Sequence, residues 1–380
     1  MNEEQKGKPW ALTALRFLAL GLVLLLAVGR WYGARAVAAA GGTVLELESR
    51  AAAVRLAAGQ KVGDKVIPMG RAVGIKLFTD GVMVVGISEI ETAEGNRSPA
   101  DECGLREGDI ITHINDTEVD SIEEVRQALQ ELAGAQMSIR ARRGEKQFQT
   151  TAAAAKSSAD GVWRLGAWIR DSMAGIGTMT FYDPESGVFG ALGHGINDVD
   201  TAQLMPLQSG AIMYAEVTDV KKGASGDPGE LHGAFHVTED LGELYANTGC
   251  GIFGLLSDES LAGDAQPVEV ASRKEVKVGE ATILSNIAGK EVESYAVEII
   301  RVYPAGSGDS RNLMLKVTDP RLLETTGGIV QGMSGSPILQ NGKLVGAVTH
   351  VLVNDPTQGY GILAENMLST AAAEAREQAS

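Results

Sequence analysis

Aromatic residues make up only 5% of the 380 residues, and cysteine occurs twice. Cys103 and Cys250 fall in separate expected domains, so they do not announce a disulfide framework. Neither has the surroundings of a reactive thiolate. Positive charge is also scarce: 33 Lys and Arg face 49 Asp and Glu, for a formal net charge of −16. With no basic stripe to neutralise phosphates, nucleic acid is excluded as a partner. The Gly-rich run Gly223-Ala224-Ser225-Gly226-Asp227-Pro228-Gly229 lacks the lysine and the strand-to-helix setting of a phosphate loop and reads as a surface loop. No internal repeat stands out. What is present is hydrophobic content of 44%, enough for two cores and too much for a disordered chain.

The N-terminus carries Lys6, Lys8 and Arg16, then an apolar run from Phe17 to Val28, then Arg30, Trp31 and Tyr32. The run is short for a full membrane span unless Trp10–Leu15 joins it with Arg16 snorkelling. Residues 1–40 are expected to form a signal anchor with its N-terminus inside, and the Trp31-Tyr32 pair suits a membrane interface. A signal peptide cleaved after Ala36-Val37-Ala38 is the alternative. Either way, the rest of the chain is expected outside the cytoplasmic membrane. Residues 41–64 read as a linker.

One hexamer carries chemistry. Gly332-Met333-Ser334-Gly335-Ser336-Pro337 puts a serine between small residues, where the chain can turn tightly and aim N–H groups inward. A serine hydroxyl needs a base to take its proton and donors to hold the oxyanion that forms. Ser334 is therefore the candidate nucleophile, and the N–H groups of Gly332 and Ser334 are the candidate oxyanion hole. Asn341-Gly342 downstream reads as a hairpin turn.

Five histidines are available to serve as base: His113, His194, His232, His236 and His350. His194 sits in the apolar, Gly-flanked segment Phe189–Ile196, which would bring an imidazole close to other backbone. His232 and His236 are four apart, a metal-ligand spacing only on a helix. No third ligand accompanies them, so no metal and no cofactor is expected. His113 reads as structural, whereas His350 follows the nucleophile loop on an apolar strand and could line a cleft. A carboxylate should orient the base. Asp319 ends a strand 15 residues before Ser334, while Asp198, Asp200 and Asp219 compete for the role, and spacing alone does not choose.

Residues 65–153 read as a PDZ domain (α+β). Ser98-Pro99-Ala100 and Gly104-Leu105-Arg106-Glu107-Gly108-Asp109-Ile110-Ile111 lead to a turn at Asn115-Asp116. Ser121 and Glu124 then form a capping box, ahead of apolar residues at helical spacing: Ile122, Val125, Leu129 and Leu132. Pro68–Ile75 resembles a carboxylate-binding loop and peptide-pairing strand, which makes Ala72, Val73, Gly74 and Ile75 the expected peptide site. Residues 160–372 alternate short strands with Gly, Asp and Asn turns before one late helix, Ala364–Gln378. That pattern predicts a pair of β-barrels, so the fold class is mainly β.

Taken together, Arg170–Tyr182, the His194 segment, Gly327–Ile338 and Gly346–Thr357 resemble the family of the sporulation signalling serine peptidase, stage IV sporulation protein B. The resemblance covers nearly the whole chain. It implies a His-Asp-Ser triad on a trypsin-like double β-barrel: His194 as base, Asp319 as orienter, Ser334 as nucleophile. It also implies that the chain cleaves itself and a membrane-bound regulator of an intramembrane metalloprotease, so that a late sigma factor matures. The setting would be the space between forespore and mother cell. Two features depart from the pattern: Asp319 lies 125 residues after His194, and Gly195 stands where a larger aliphatic residue is expected. A different class of function, a PDZ adaptor with a non-catalytic β-domain, makes opposite predictions for Ser334→Ala.

Overall fold

The structure, a computed structural model, describes residues 64–304 and 310–378, side chains at 236–239 excepted. The expected membrane segment and all but the last residue of the linker lie outside these residues. Among the described residues, no helix is long and apolar enough to cross a membrane.

Two barrels dominate. In the first, Ala72–Ile87 pairs with Ala167–Tyr182, which pairs with Val188–Ala191, followed by Gly251–Leu256, Glu230–Thr248 and Leu207–Lys221. The last of these returns to Ala72–Ile87 and closes the ring. The second is a closed barrel of Gly279–Ala288, Glu291–Val302, Leu313–Val317, Asp355–Leu363, Lys343–Leu352 and Pro337–Gln340. The expected double barrel is present.

Alternation explains each interior. Every second residue of a strand faces inward, so Val73, Ile75, Met179, Ile212 and Leu244 fill the first barrel. Ile283, Val297, Ile299, Leu315 and Ile338 fill the second. Asn341 (φ 53°) and Gly342 (φ 76°) make the expected two-residue turn, closing a hairpin in which Gln340 faces Lys343. The late helix, Ala364–Gln378, lays Met367, Leu368, Ala371 and Ala375 against Phe181 and Phe253 of the first barrel and Leu344 of the second. It thereby clamps the two together.

The PDZ module grows out of the first barrel. Ala72–Ile87 and Ala167–Tyr182 are both 16 residues long, and each is shared between the two modules. The first half of Ala72–Ile87 belongs to the barrel. Past Thr79 the same strand pairs with Ile110–Ile114 of the PDZ sheet, which continues into Gln136–Arg143 and Lys146–Ala153. Thr79 is fully buried at the crossing, its hydroxyl donating to the carbonyls of Gly81 (2.5 Å) and Asp171 (3.0 Å). A boundary at residue 65 is therefore replaced by one inside this strand. The capping box is as expected: Ser121 Oγ accepts from Glu124 N–H (3.2 Å) and Glu124 accepts from Ser121 N–H (3.0 Å), starting helix Ile122–Leu132. Val125 and Leu129 of that helix bury against Ile111, Met137 and Ile139.

The expectation for Ala72, Val73, Gly74 and Ile75 fails here. Both edges of this stretch are occupied: Val73 faces Gly177 on one side and Tyr214 on the other, and Ile75 faces Gly175 and Ile212. A peptide strand needs an unpaired edge, and a fully paired, buried strand has none. His232 and His236 lie on the strand Glu230–Thr248 rather than on a helix, so the i,i+4 helical face does not exist. On a strand, a four-residue step separates Cα atoms by roughly 13 Å, too far for one ion.

Candidate active site

The nucleophile loop is held by close backbone packing. Gly335 has φ 99°, and a Cβ there would lie 1.9 Å from the Thr178 carbonyl oxygen and 2.6 Å from the Leu192 nitrogen. Only glycine fits. Thr178 ties down the loop from the facing strand: its N–H donates to the Ser334 carbonyl (2.9 Å) and its hydroxyl to the Gly332 carbonyl (2.8 Å). Thr180 donates to the Gly335 carbonyl (2.8 Å), and Gly335 N–H donates to Val348 (2.7 Å). Sequence reasoning passed over Thr178 and Thr180 because alternating threonines on a strand carry no chemical signature of their own. Among the described residues, the N–H groups of Gly332 and Ser334 have no acceptor, whereas Met333 and Gly335 between and beside them do. These are the two N–H groups that the sequence offers as candidate oxyanion donors.

The candidate base comes from the first barrel. Leu192 (φ 66°) and Gly193 (φ 68°) turn the chain through the left-handed region just before His194. A leucine there is strained by about 1 kcal/mol or more, and such strain concentrates at functional sites. The turn delivers His194 to a cleft of about 280 Å³ between the barrels, lined also by Ile75, Leu192, Gly195, Gly332 and Ser334. His194 and Ser334, 140 residues apart, thus share one cleft. Ser334 Oγ donates to the Thr349 carbonyl (2.7 Å), not to the imidazole. His194 Nδ1 contacts the Gly195 carbonyl at 2.8 Å. A carbonyl only accepts, so Nδ1 carries the proton and Nε2 presents the lone pair a base needs. Burial pushes the His194 pKa down, with the Gly195 contact opposing it, so the imidazole is neutral at neutral pH.

His350 joins the cluster, its ring centroid 5.0 Å from that of His194. Burial, then the neighbouring His194 and Arg311, push its pKa down to about 4, so it adds no positive charge beside the base at neutral pH.

No carboxylate reaches His194 among the described residues. The expected orienter, Asp319, is engaged elsewhere. It caps helix Pro320–Thr326, accepting from Arg321 N–H (2.9 Å), and it accepts from Ala296 N–H (3.2 Å) and from the Arg321 guanidinium (3.0 Å). Arg321 holds its carboxyl down to about 2. The correction has a plain cause: a strand-ending Asp before Pro is also an N-cap signal, and here the cap and the arginine claim both oxygens. The alternatives do no better. Asp198 is buried and pairs with Arg170, Asp200 meets the same arginine at 2.8 Å, and Asp219 lies across from His232. In this arrangement the Gly195 carbonyl fixes the tautomer instead.

Several solved structures resemble parts of the chain. The PDZ domain of the SdrC-like protein from Listeria monocytogenes is 23% identical over 24% of this chain and 87% of its own, with a TM-score of 0.19. The active form of the Rv3671c protease from M. tuberculosis is 14% identical, covering 53% of this chain and 74% of that one, with a TM-score of 0.31. The HtrA-type protease AlgW with a decapeptide is 10% identical, covering 54% of this chain and 53% of that one, with a TM-score of 0.32. No curated protein matches the chain. Family comparison is more decisive. A PDZ domain matches residues 92–143, and the SpoIVB peptidase S55 family matches residues 161–368, more than half of the sequence. The chain belongs to the SpoIVB peptidase S55 family and carries a PDZ domain ahead of its peptidase barrels.

Proposed function

We propose that this protein is a serine endopeptidase in which Ser334 is the nucleophile and His194 the general base. The observation that supports this reading is the shared cleft: a neutral imidazole with its Nε2 lone pair available, a serine, and two unpartnered N–H donors. Rotation of Ser334 about χ1 moves its hydroxyl from the Thr349 carbonyl toward His194. The imidazole takes the proton as Oγ attacks the scissile carbonyl. The N–H groups of Gly332 and Ser334 hold the oxyanion, and the imidazolium then protonates the leaving amine. The Gly195 carbonyl keeps the proton on Nδ1 throughout. Water repeats the sequence to release the acyl group.

The substrates in this reading are the chain itself and a membrane-bound regulator of an intramembrane metalloprotease, cleaved as a sporulation signal that lets a late sigma factor mature. The N-terminal segment tethers the protein, and the peptidase works in the space between forespore and mother cell. Family membership supports the signalling role, and the hydrophobic N-terminus supports the location.

One observation favours the second reading, an adaptor: the serine proton rests on a main-chain carbonyl rather than on the base. Incubating the full-length chain beside its Ser334→Ala form and sequencing new N-termini separates the two. A peptidase produces new termini that vanish in the variant, a loss of at least about 10³-fold in turnover. An adaptor yields no new termini in either form, and its signalling survives the substitution.

A further inference from the structure

We propose that the imidazoles of His194 and His350 form a two-nitrogen site for zinc or a divalent cation of the same class, and that an ion held there blocks the base and stops Ser334. The blocking half rests on the serine peptidase reading above, while the binding half stands without it.

The two rings come from different barrels. His194 follows the left-handed turn at Leu192 and Gly193 in the first, and His350 lies on the strand Lys343–Leu352 of the second. The residues just before them press together. A Cβ on Gly193 would lie 2.9 Å from Thr349 Cγ2, and Thr349 is buried. That contact sets the spacing of the rings, whose centroids are 5.0 Å apart with planes tilted by 40°. A zinc ion held about 2.0–2.1 Å from one nitrogen of each ring, at a tetrahedral angle, also puts the centroids roughly 5 Å apart.

The ring nitrogens have lone pairs to give. Nδ1 of His194 donates to the Gly195 carbonyl, which leaves Nε2 free to coordinate. Nδ1 of His350 is buried and has no hydrogen-bond partner among the described residues. A buried nitrogen normally finds a partner, and the proton transfer between Ser334 and His194 gives this one none. Both rings are neutral at neutral pH, chiefly through burial, so an arriving ion meets lone pairs rather than protons.

The donor set selects the cation. Imidazole nitrogen suits zinc and its transition-metal neighbours, whereas calcium and magnesium demand oxygen. Among the described residues, no third His, Cys, Asp or Glu completes the group. Two protein ligands leave the other positions to water, which makes the ion exchangeable, as an inhibitor must be, and unlike a closed structural site. Arg311 is the charged side chain that acts on His350. It lies over the Tyr360 ring at 5.2 Å, and its charge opposes a dication. Once coordinated, Nε2 of His194 has no lone pair left for the Ser334 proton.

The test adds zinc to the full-length Ser334→Ala form, which cannot trim itself, and reads binding by calorimetry. One ion per chain is expected, with calcium and magnesium failing to displace it. His194→Gln and His350→Gln are each expected to weaken binding by at least about tenfold. Arg311→Gln, which removes the opposing charge, is expected to tighten it several-fold. Should a histidine variant fail to fold, nitrogen NMR on the Ser334→Ala form answers without it: zinc is expected to move the ring signals of two of the five histidines. No zinc binding, affinity unchanged in both histidine variants, or shifts confined to other histidines overturns the site. In the wild type, zinc is expected to slow fluorophosphonate labelling of Ser334 at least several-fold, and a chelator to restore it. The ratio of rates with and without zinc is expected to approach one in His350→Gln. Labelling that zinc leaves unchanged while it occupies the pair overturns the blocking. Labelling without zinc reports on the nucleophile itself, so a failure of the peptidase reading is seen separately.

Discussion

Ser334 and His194 each rest on a main-chain carbonyl, Thr349 for the hydroxyl and Gly195 for Nδ1. At the scale of single residues, the candidate site has its parts in one cleft, with the serine hydroxyl bonded to a carbonyl and not to the imidazole. Asp319 is the residue on which sequence and structure part. Its carboxyl pKa is lowered in the fold by Arg321, so the stability it contributes is present above pH 4 and is lost as pH falls toward 2. Asn caps helices about as well as Asp but cannot pair with arginine. Asp319→Asn is therefore expected to lower Tm at neutral pH, with the gap from the wild type closing as pH approaches 2, and to keep turnover within about tenfold of normal. Thermal melts across that range and initial rates check both. A rate loss on the scale of Ser334→Ala would put this carboxylate on the imidazole in the working enzyme.

Among the elements, the strand Ala167–Tyr182 matters most, because the nucleophile loop is built against it. Gly335 approaches Thr178 so closely that a methyl group there must displace backbone. Gly335→Ala is expected to destabilise the fold by several kcal/mol and to abolish turnover. Gly342→Ala, at a turn with open space and φ 76°, should cost only about 1 kcal/mol and leave turnover intact. Urea denaturation of the two variants side by side checks the contrast. Legibility follows the same line. The Ser121–Glu124 capping box, the Asn341-Gly342 turn and the small-residue loop around Ser334 were readable because their signals are complete within a few residues. The role of Ala72–Ile75 was not. An apolar run with glycine suits a peptide-binding edge and a barrel strand equally, and its partners near 175 and 212 lie about a hundred residues or more away.

For the whole molecule, PDZ module and first barrel are not beads on a string. Two strands are common to both, and residues 65–79, which read as the start of one domain, are built into the other. Separate sequence signatures at 92–143 and 161–368 conceal this, since each reports local pattern and neither reports pairing. The double barrel itself was legible as short strands between turns. The partner of His194 Nδ1 was not, because a main-chain carbonyl one residue along carries no side-chain signature.

The central claim is that His194, neutral and half-buried, takes the proton of Ser334. The rate at which a fluorophosphonate labels Ser334, followed against pH in the full-length protein, tests it most directly. Because burial lowers the His194 pKa, labelling should stay at its plateau below pH 6.5 and fall only as the imidazole protonates at lower pH. His194→Gln should be slower by about 10³-fold with no such step. Equal labelling of His194→Gln and wild type, with the same pH profile, would contradict the account.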